Sequence, residues 1–254
     1  MLAVDLNCDM GESFGLYQMG NDEEMMKYIT SANIACGYHG GDPHIMRETV
    51  ELARKYGVGI GSHPAFPDLM GFGRRYLKAT PNEIRDYVIY QTGALREFAS
   101  YYNVELQHCK PHGALYMMAM EDENIARAIL EGLAKINSSM IVFALNNSAF
   151  EEIGRNMGIP VALETYADRE HTASGSIVLT RKGSQIQDYD AMADRVVRMV
   201  KEGKVTTHLN EEVSLKAETI CIHGDTPGAP ALIRKISEAL TKNDIQIKPI
   251  KEIF

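Results

Sequence analysis

Ala32-Asn33-Ile34-Ala35-Cys36-Gly37-Tyr38-His39-Gly40-Gly41-Asp42-Pro43 is the stretch whose reading decides the fold. The run Ala32–Cys36 reads as a short buried strand, and it breaks into a glycine-rich polar turn carrying His39. Asp42-Pro43 then opens a helix, with a carboxylate at the cap and proline at the first helical position. Met46, Val50, Ala53 and Tyr56 recur at helical spacing, so the helix runs from Pro43 to Tyr56. Strand, polar turn and helix together make one βα unit.

The same order recurs on both sides of that stretch. Leu2–Leu6 is an apolar run ending in Asn7-Cys8-Asp9-Met10-Gly11-Glu12, with a helix near Asp22–Ile29. Val58–Ile60 leads to Gly61-Ser62-His63-Pro64 and a long loop from Pro64 to Lys78. Thr80-Pro81-Asn82-Glu83 is a capping box that starts a helix reaching about Tyr101. Val104–Cys109 ends in Lys110-Pro111-His112-Gly113, followed by a helix over Glu121–Asn137. Met140–Leu145, a helix over Ser148–Met157, and Val161–Leu163 ending at Glu164 continue the alternation. After a second long loop, Thr165 to Arg181, come a helix over Tyr189–Val200, the strand Thr219–Ile222 ending at His223, and a helix from Pro227. Thr226 reads as the cap of that last helix, leaving Asp225 free, and Ile245–Ile247 is an eighth strand candidate.

Alternation of this kind implies parallel strands joined by right-handed crossovers. Polar groups follow nearly every strand, as on the carboxyl rim of a barrel; an open sheet would concentrate them at one switch point. The expectation is an α/β protein, a single β/α barrel of seven (with the candidate above, eight) mainly parallel strands spanning residues 1–254.

Four of the chain's eight histidines, His39, His63, His112 and His223, fall at these junctions. Asp5, Asn7 and Asp9 alternate along the first strand and share its inward face. Lys110 ends an apolar strand and calls for a carboxylate or an anion nearby. Asp5, Asn7, Asp9, His39, His63, Lys110 and His112 are therefore the catalytic candidates. Glu12, Gly40, Gly41, Asp42, Glu164, Asp168, Arg169, His223 and Asp225 are candidates for binding substrate or phosphate. Gly40-Gly41 before a helix suits an anion, Asp42 equally suits a helix cap, and Arg169 suits a bidentate clamp on carboxylate or phosphate. A divalent metal fits a rim of this composition, with no ligand set fixed by spacing.

The net charge of −8 argues against nucleic acid, and no run approaches the ~20 apolar residues of a membrane span. Met1-Leu2-Ala3-Val4-Asp5 reads as the start of a strand, not a signal peptide. Cys8, Cys36, Cys109 and Cys221 lack C-x-x-C spacing and read as buried thiols of a cytoplasmic protein. G-x-x-x-x-G-K-[ST] and H-E-x-x-H are absent from the sequence, and the rim groups suit general acid–base or metal-assisted hydrolysis of a small polar substrate.

Five segments carry a resemblance: D-L-N-x-D-x-G-E from Asp5, S-A-N-I-A-C-G-x-H-x-G-D-P from Ser31, G-x-H-P-x-F-P-D from Gly61, K-P-H-G-x-L-Y from Lys110, and H-G-D-T-P-G-A from His223. In this order the chain resembles the LamB/YcsF family, which supplies one component of the prokaryotic 5-oxoprolinase. The resemblance implies a cytoplasmic hydrolase that opens 5-oxoproline to L-glutamate with ATP as co-substrate. It also implies partner subunits B and C that bind ATP or complete its site, and a barrel like that of the polysaccharide deacetylases. A phosphorylated lactam oxygen is the intermediate that coupling to ATP implies. The alternatives are a metal-dependent deacetylase-like hydrolase acting alone and a noncatalytic component that only binds substrate. The chain departs from the family's pattern at His171, where tyrosine is common, and at Thr180, where proline commonly precedes the arginine.

Overall fold

The computed structural model describes residues 2–177 and 188–254; Thr180 and Arg181 lie outside the described residues. Strands β1 (Ala3–Met10), β2 (Ser31–Ala35), β3 (Gly59–His63), β4 (Leu106–Cys109), β5 (Ile141–Leu145) and β6 (Val161–Tyr166) lie side by side in chain order, all parallel. Strands β7 (Lys204–Thr206) and β8 (Glu212–Ser214) form a separate antiparallel pair. Strand β9 (Thr219–Cys221) closes the circle by pairing with both β6 and β1. The expected closed barrel of seven parallel strands is thus present, and β10 (Gln246–Ile247) adds only at the start of β1.

Helices α1 (Asp22–Met26), α2 (Pro43–Tyr56), α3 (Pro81–Tyr101), α4 (Gly113–Glu121), α5 (Glu123–Ile136), α6 (Ala149–Asn156), α7 (Tyr189–Glu202) and α8 (Ala229–Lys242) surround the barrel. The capping sequences place α2 and α3 well: Asp42 accepts from the amides of His44 and Ile45, and the Thr80–Glu83 box is formed. Helix α4 is an addition to the expected elements. It buries Ala114, Leu115, Tyr116, Met117, Ala119 and Met120 around nearly its whole circumference, so it has no amphipathic stripe to read. The β7–β8 pair, three residues a side, is too short for period-two patterning to show.

The start of α8 requires a correction. Gly228, with φ of 87°, is its N-cap, and the Thr226 hydroxyl donates to Asp168 Oδ2. A left-handed glycine turns the chain two residues later than the Thr-Pro pair implied.

Strand β1 shows why the barrel carries a polar interior. Val4, Leu6, Cys8 and Met10 are buried in the hydrophobic core, while Asp5, Asn7 and Asp9 occupy the alternate face. The interior groups are paired: Asp5 accepts from Ser31, Thr30 and Thr219, and Asn7 donates to Glu164 and Thr219. Gly61 on β3 leaves room for the His108 ring, since a Cβ there would sit 2.1 Å from His108 Nε2. Among the described residues no helix is long and apolar enough to cross a membrane.

Candidate active site

A cavity of about 800 Å³ opens at the carboxyl ends of the strands, lined by Asp9, His63, Lys110, His112, Tyr116, Tyr166, Arg169 and His223 among others. Residues at the carboxyl ends of β1, β3, β4, β6 and β9 therefore meet around one cavity. Lys110, at the end of β4, is its electrostatic centre. Its ammonium lies 2.8 Å from Glu164 Oε1, 3.2 Å from Asp9 Oδ1 and 3.1 Å from Cys221 Sγ. Burial opposes an ammonium there, but Asp9 and Glu164 outweigh it and hold Lys110 well above its ordinary range. Glu164 Oε2 in turn accepts from the hydroxyls of Tyr116 (2.7 Å) and Tyr166 (2.8 Å).

His63, His39 and His112 pack together on one side. His63 Nδ1 lies 2.6 Å from the Lys110 carbonyl, and His112 Nε2 lies 2.8 Å from the Phe72 carbonyl. A carbonyl can only accept, so each of those nitrogens carries its hydrogen. The remaining nitrogens, His63 Nε2 and His112 Nδ1, face each other at 2.9 Å. Two neutral rings of these tautomers would present lone pair to lone pair, an arrangement that a cation resolves. Carboxylates stand beside both: Asp9 Oδ2 is 3.4 Å from His63 Nε2, and Glu12 Oε1 is 3.6 Å from His112 Nδ1. Glu12, His39, His63 and His112 thus offer donor atoms close enough to hold one metal ion. The His39 and His112 rings stack at 3.7 Å with planes 5° apart, so both cannot direct in-plane lone pairs at one ion. His39 instead meets Glu12 Oε1 at 3.0 Å. The nitrogen and carboxylate donors suit zinc-like divalent ions better than magnesium. A second group, Asp9, Cys221 and His223, is filled by the Lys110 ammonium itself.

Opposite the imidazoles, His223 Nδ1 lies 3.0 Å and 3.1 Å from the two oxygens of Asp168. Thr226 and Arg169 also donate to Asp168. Burial works against the ionised form of Asp168, yet His223, Arg169 and Thr226 hold its carboxyl at about 2. With Nδ1 bound to an anion, His223 has Nε2 available for proton transfer.

Other candidates take structural places. Asp5 and Asn7 lie below the cavity and tie β1 to β2, β6 and β9. Asp42 caps α2 with Oδ1 and accepts from the Gly15 amide with Oδ2, so both oxygens serve the backbone. At Gly40 and Gly41 a Cβ would lie 2.9 Å from the Glu12 and Gly11 carbonyl oxygens, so these glycines let the turn pack closely against the end of β1. Asp225 pairs with Arg74 at 3.5 Å. Gly73, at φ +61°, lays the Pro64–Lys78 loop against the His39 and His112 side chains; a Cβ there would meet them at 2.8 and 2.9 Å. Tyr116 and Tyr166 escape sequence reasoning: the first belongs to the unforeseen α4, the second to the end of β6, beyond the expected strand.

His171 sits behind the cavity, accepting at Nδ1 from Arg195 (2.6 Å), with Nε2 buried and unpartnered among the described residues. Burial, aided by Arg195, takes its pKa down to about 3. Burial and Lys110 do the same for His108, again to about 3. His39 and His112 are held well below the ordinary range by burial and neighbouring imidazoles. An unfolded histidine titrates near 6.5, so below that pH the unfolded chain binds protons that the folded chain refuses. This stability is present above pH 6.5 and is lost as pH falls from there toward 3. Burial also pushes Asp5 up to about 6 and Glu12 well above its usual range, which acts in the opposite direction. Asp22, also raised by burial, acts the same way as Asp5 and Glu12. Four imidazoles outweigh these three carboxyls, so the melting temperature is expected to fall from pH 7 to pH 5. Melting curves that stay level or rise across that interval would contradict the neutral assignment of these rings.

The profile of the LamB/YcsF family matches residues 4–254. A Pyrococcus horikoshii protein that bears the name of the A subunit of 5-oxoprolinase is 49% identical over 254 residues, covering 100% of both chains. A solved structure of a lactam utilization protein from Thermus thermophilus superposes with a TM-score of 0.91 at 41% identity, covering 98% of this chain and 100% of that one. A peptidoglycan N-acetylglucosamine deacetylase shares the fold alone, with a TM-score of 0.54 at 13% identity over 99% of this chain and 87% of that one.

Proposed function

The chain belongs to the LamB/YcsF family, and on that premise we propose that it is the A subunit of a 5-oxoprolinase. In this reading it opens 5-oxoproline to L-glutamate in the cytoplasm, with ATP as co-substrate and two partner subunits, B and C. The observation that carries the reading is full-length likeness, at 49% identity, to a protein bearing that subunit's name. The enclosed rim of imidazole, carboxylate and ammonium supports it independently.

In the ATP-coupled reaction the lactam oxygen takes the γ-phosphoryl group and ADP leaves. One water then adds at the ring carbon, the C–N bond breaks with a proton going to the nitrogen, and a second water releases inorganic phosphate to leave L-glutamate. His223, backed by Asp168, takes the proton from water and returns it to the departing nitrogen. The Lys110 ammonium, held between Asp9 and Glu164, offsets the negative charge carried on the phosphorylated lactam oxygen. Tyr116 and Tyr166 keep Glu164 in place, and the Pro64–Lys78 loop limits access of bulk water. His63 and His112, with Glu12 and Asp9, would hold a divalent ion. When bound, such an ion polarises a carbonyl or lowers the pKa of water. The partners are the place for the nucleotide cradle, whose Walker-type motif this sequence lacks.

The test is reconstitution of the full chain with both partner subunits. Glutamate release from 5-oxoproline is expected only with ATP and only with all three present, and a chelator is expected to reduce it. Absence of ATP-dependent release from the complete mixture sinks the proposal. Chelator-sensitive amide hydrolysis by the chain alone, without ATP, would favour a stand-alone metal-dependent hydrolase.

A further inference from the structure

Four lysine and arginine side chains line the cavity, and three are already answered. Lys110 is paired with Asp9 and Glu164, and Arg75 is paired with Asp68 through its Nε at 2.9 and 3.0 Å. Arg74 lies 3.5 Å from Asp225 at the cavity mouth, with its side chain 38% exposed. Arg169 differs. Its side chain is only 6% exposed, and its ion pair among the described residues runs from Nη1 to Asp168. Asp168 is shared with His223 and Thr226, so it does not answer Arg169 alone. Among the described residues no acceptor meets Nε or Nη2 of Arg169. Those two nitrogens form the side-on edge of the guanidinium, the edge that matches a carboxylate with two parallel hydrogen bonds.

The edge is held in advance. Arg195 donates to the Arg169 carbonyl at 2.8 Å, and Asp168 fixes Nη1 from the other side. Met117, Tyr166 and Ile177 share the cavity lining and offer apolar contact for ring methylenes.

We infer that Arg169 selects the substrate by clamping a carboxylate on its Nε–Nη2 edge, so that the site takes small lactams bearing a carboxylate next to the ring nitrogen. This rests on the lactam-hydrolase reading and adds an orientation to it. Arg169 and His223 are bonded to the same carboxylate, Asp168. A carboxylate on Arg169 therefore brings the neighbouring ring nitrogen to the side where His223 can protonate it. The same clamp gives the discrimination: a lactam without the anion forgoes both charge-assisted hydrogen bonds to the cavity-facing guanidinium edge.

The test measures binding of 5-oxoproline and of 2-pyrrolidinone, the same ring without the carboxylate, to the full chain by calorimetry. Wild type is expected to prefer 5-oxoproline by about 100-fold. In Arg169→Gln that preference is expected to shrink to a few-fold while 2-pyrrolidinone binding changes little. Arg169→Lys, which keeps the charge but not the fork, is expected between the two and serves as the reading if the glutamine variant does not fold. The inference is overturned by a wild type with no preference, by a preference that survives in the variants, or by equal weakening of both lactams in a folded variant. An Arg169-dependent preference without ATP-dependent glutamate release from the complex would sink the hydrolase reading and leave the clamp standing. Release that is indifferent to Arg169 would do the reverse.

Discussion

Lys110→Met is expected to lower the melting temperature by roughly 6–20 °C and to abolish turnover of the reconstituted enzyme. The Lys110 side chain is 3% exposed and its ammonium lies between Asp9 and Glu164. Removing it leaves two carboxylates facing each other in a space that water barely reaches. Breaking a buried pair from one side costs about 3–5 kcal/mol, because the surviving charge has lost its counter-ion and its hydration together. A chain of this size loses about 2–4 °C per kcal/mol. Glu164 keeps its hydrogen bonds from Tyr116 and Tyr166, which limits the damage, but Asp9 loses its cation. The double variant Lys110→Met/Glu164→Gln removes one of the stranded charges and is expected to recover part of the stability and none of the activity. Scanning calorimetry reads the first effect and glutamate release the second. A single variant that melts within a degree or two of wild type would mean that the charges are already screened by water and that Lys110 is not the electrostatic centre of the site.

The contrast between what the chain announces and what it hides has a consistent physical basis. Local chemistry is legible. Asp42-Pro43 and Thr80–Glu83 specify helix starts through contacts within a few residues, and both helices begin where those residues place them. The alternation of Asp5, Asn7 and Asp9 fixes a common face, and the three do share the barrel interior. Depth along the barrel is not local. Asp5 and Asp9 look alike in sequence, yet one closes the lower polar layer with Ser31 and Thr219 while the other reaches the cavity. The difference depends on strand register against β2 and β9, which no stretch of β1 records. Partners are hidden for the same reason. Nothing beside Glu12 indicates that it will meet His39, and nothing near Thr226 indicates that its hydroxyl will go to Asp168 across 58 residues. Asp42 shows the converse: the capping role that local sequence supplied, together with the Gly15 amide, occupies both of its carboxylate oxygens.

Asp168→Asn carries the second large effect, a fall of about 100- to 10,000-fold in kcat. The carboxylate accepts from His223 Nδ1, which fixes the tautomer that leaves Nε2 free to take a proton and stabilises the charged ring once it has done so. An amide at this position can donate to Nδ1, which places the hydrogen on Nε2 and removes the base. Stability falls too. The gap between a carboxyl held at about 2 and its ordinary value of 3.8 is worth roughly 2–3 kcal/mol. That contribution is present above pH 3.8 and is lost as pH falls through 2, so at neutral pH the neutral asparagine lacks all of it. Asp168 also bonds Arg169, so weaker substrate binding is expected alongside the slower step. The two contributions separate on comparison. Arg169→Gln acts mainly on the affinity for carboxylate-bearing lactams. Asp168→Asn must in addition slow kcat itself, and Thr226→Val, which removes one donor to the same carboxylate, is expected to change kcat far less. A kcat for Asp168→Asn within threefold of wild type would remove His223 from the proton-transfer step and return that duty to the imidazoles around Glu12.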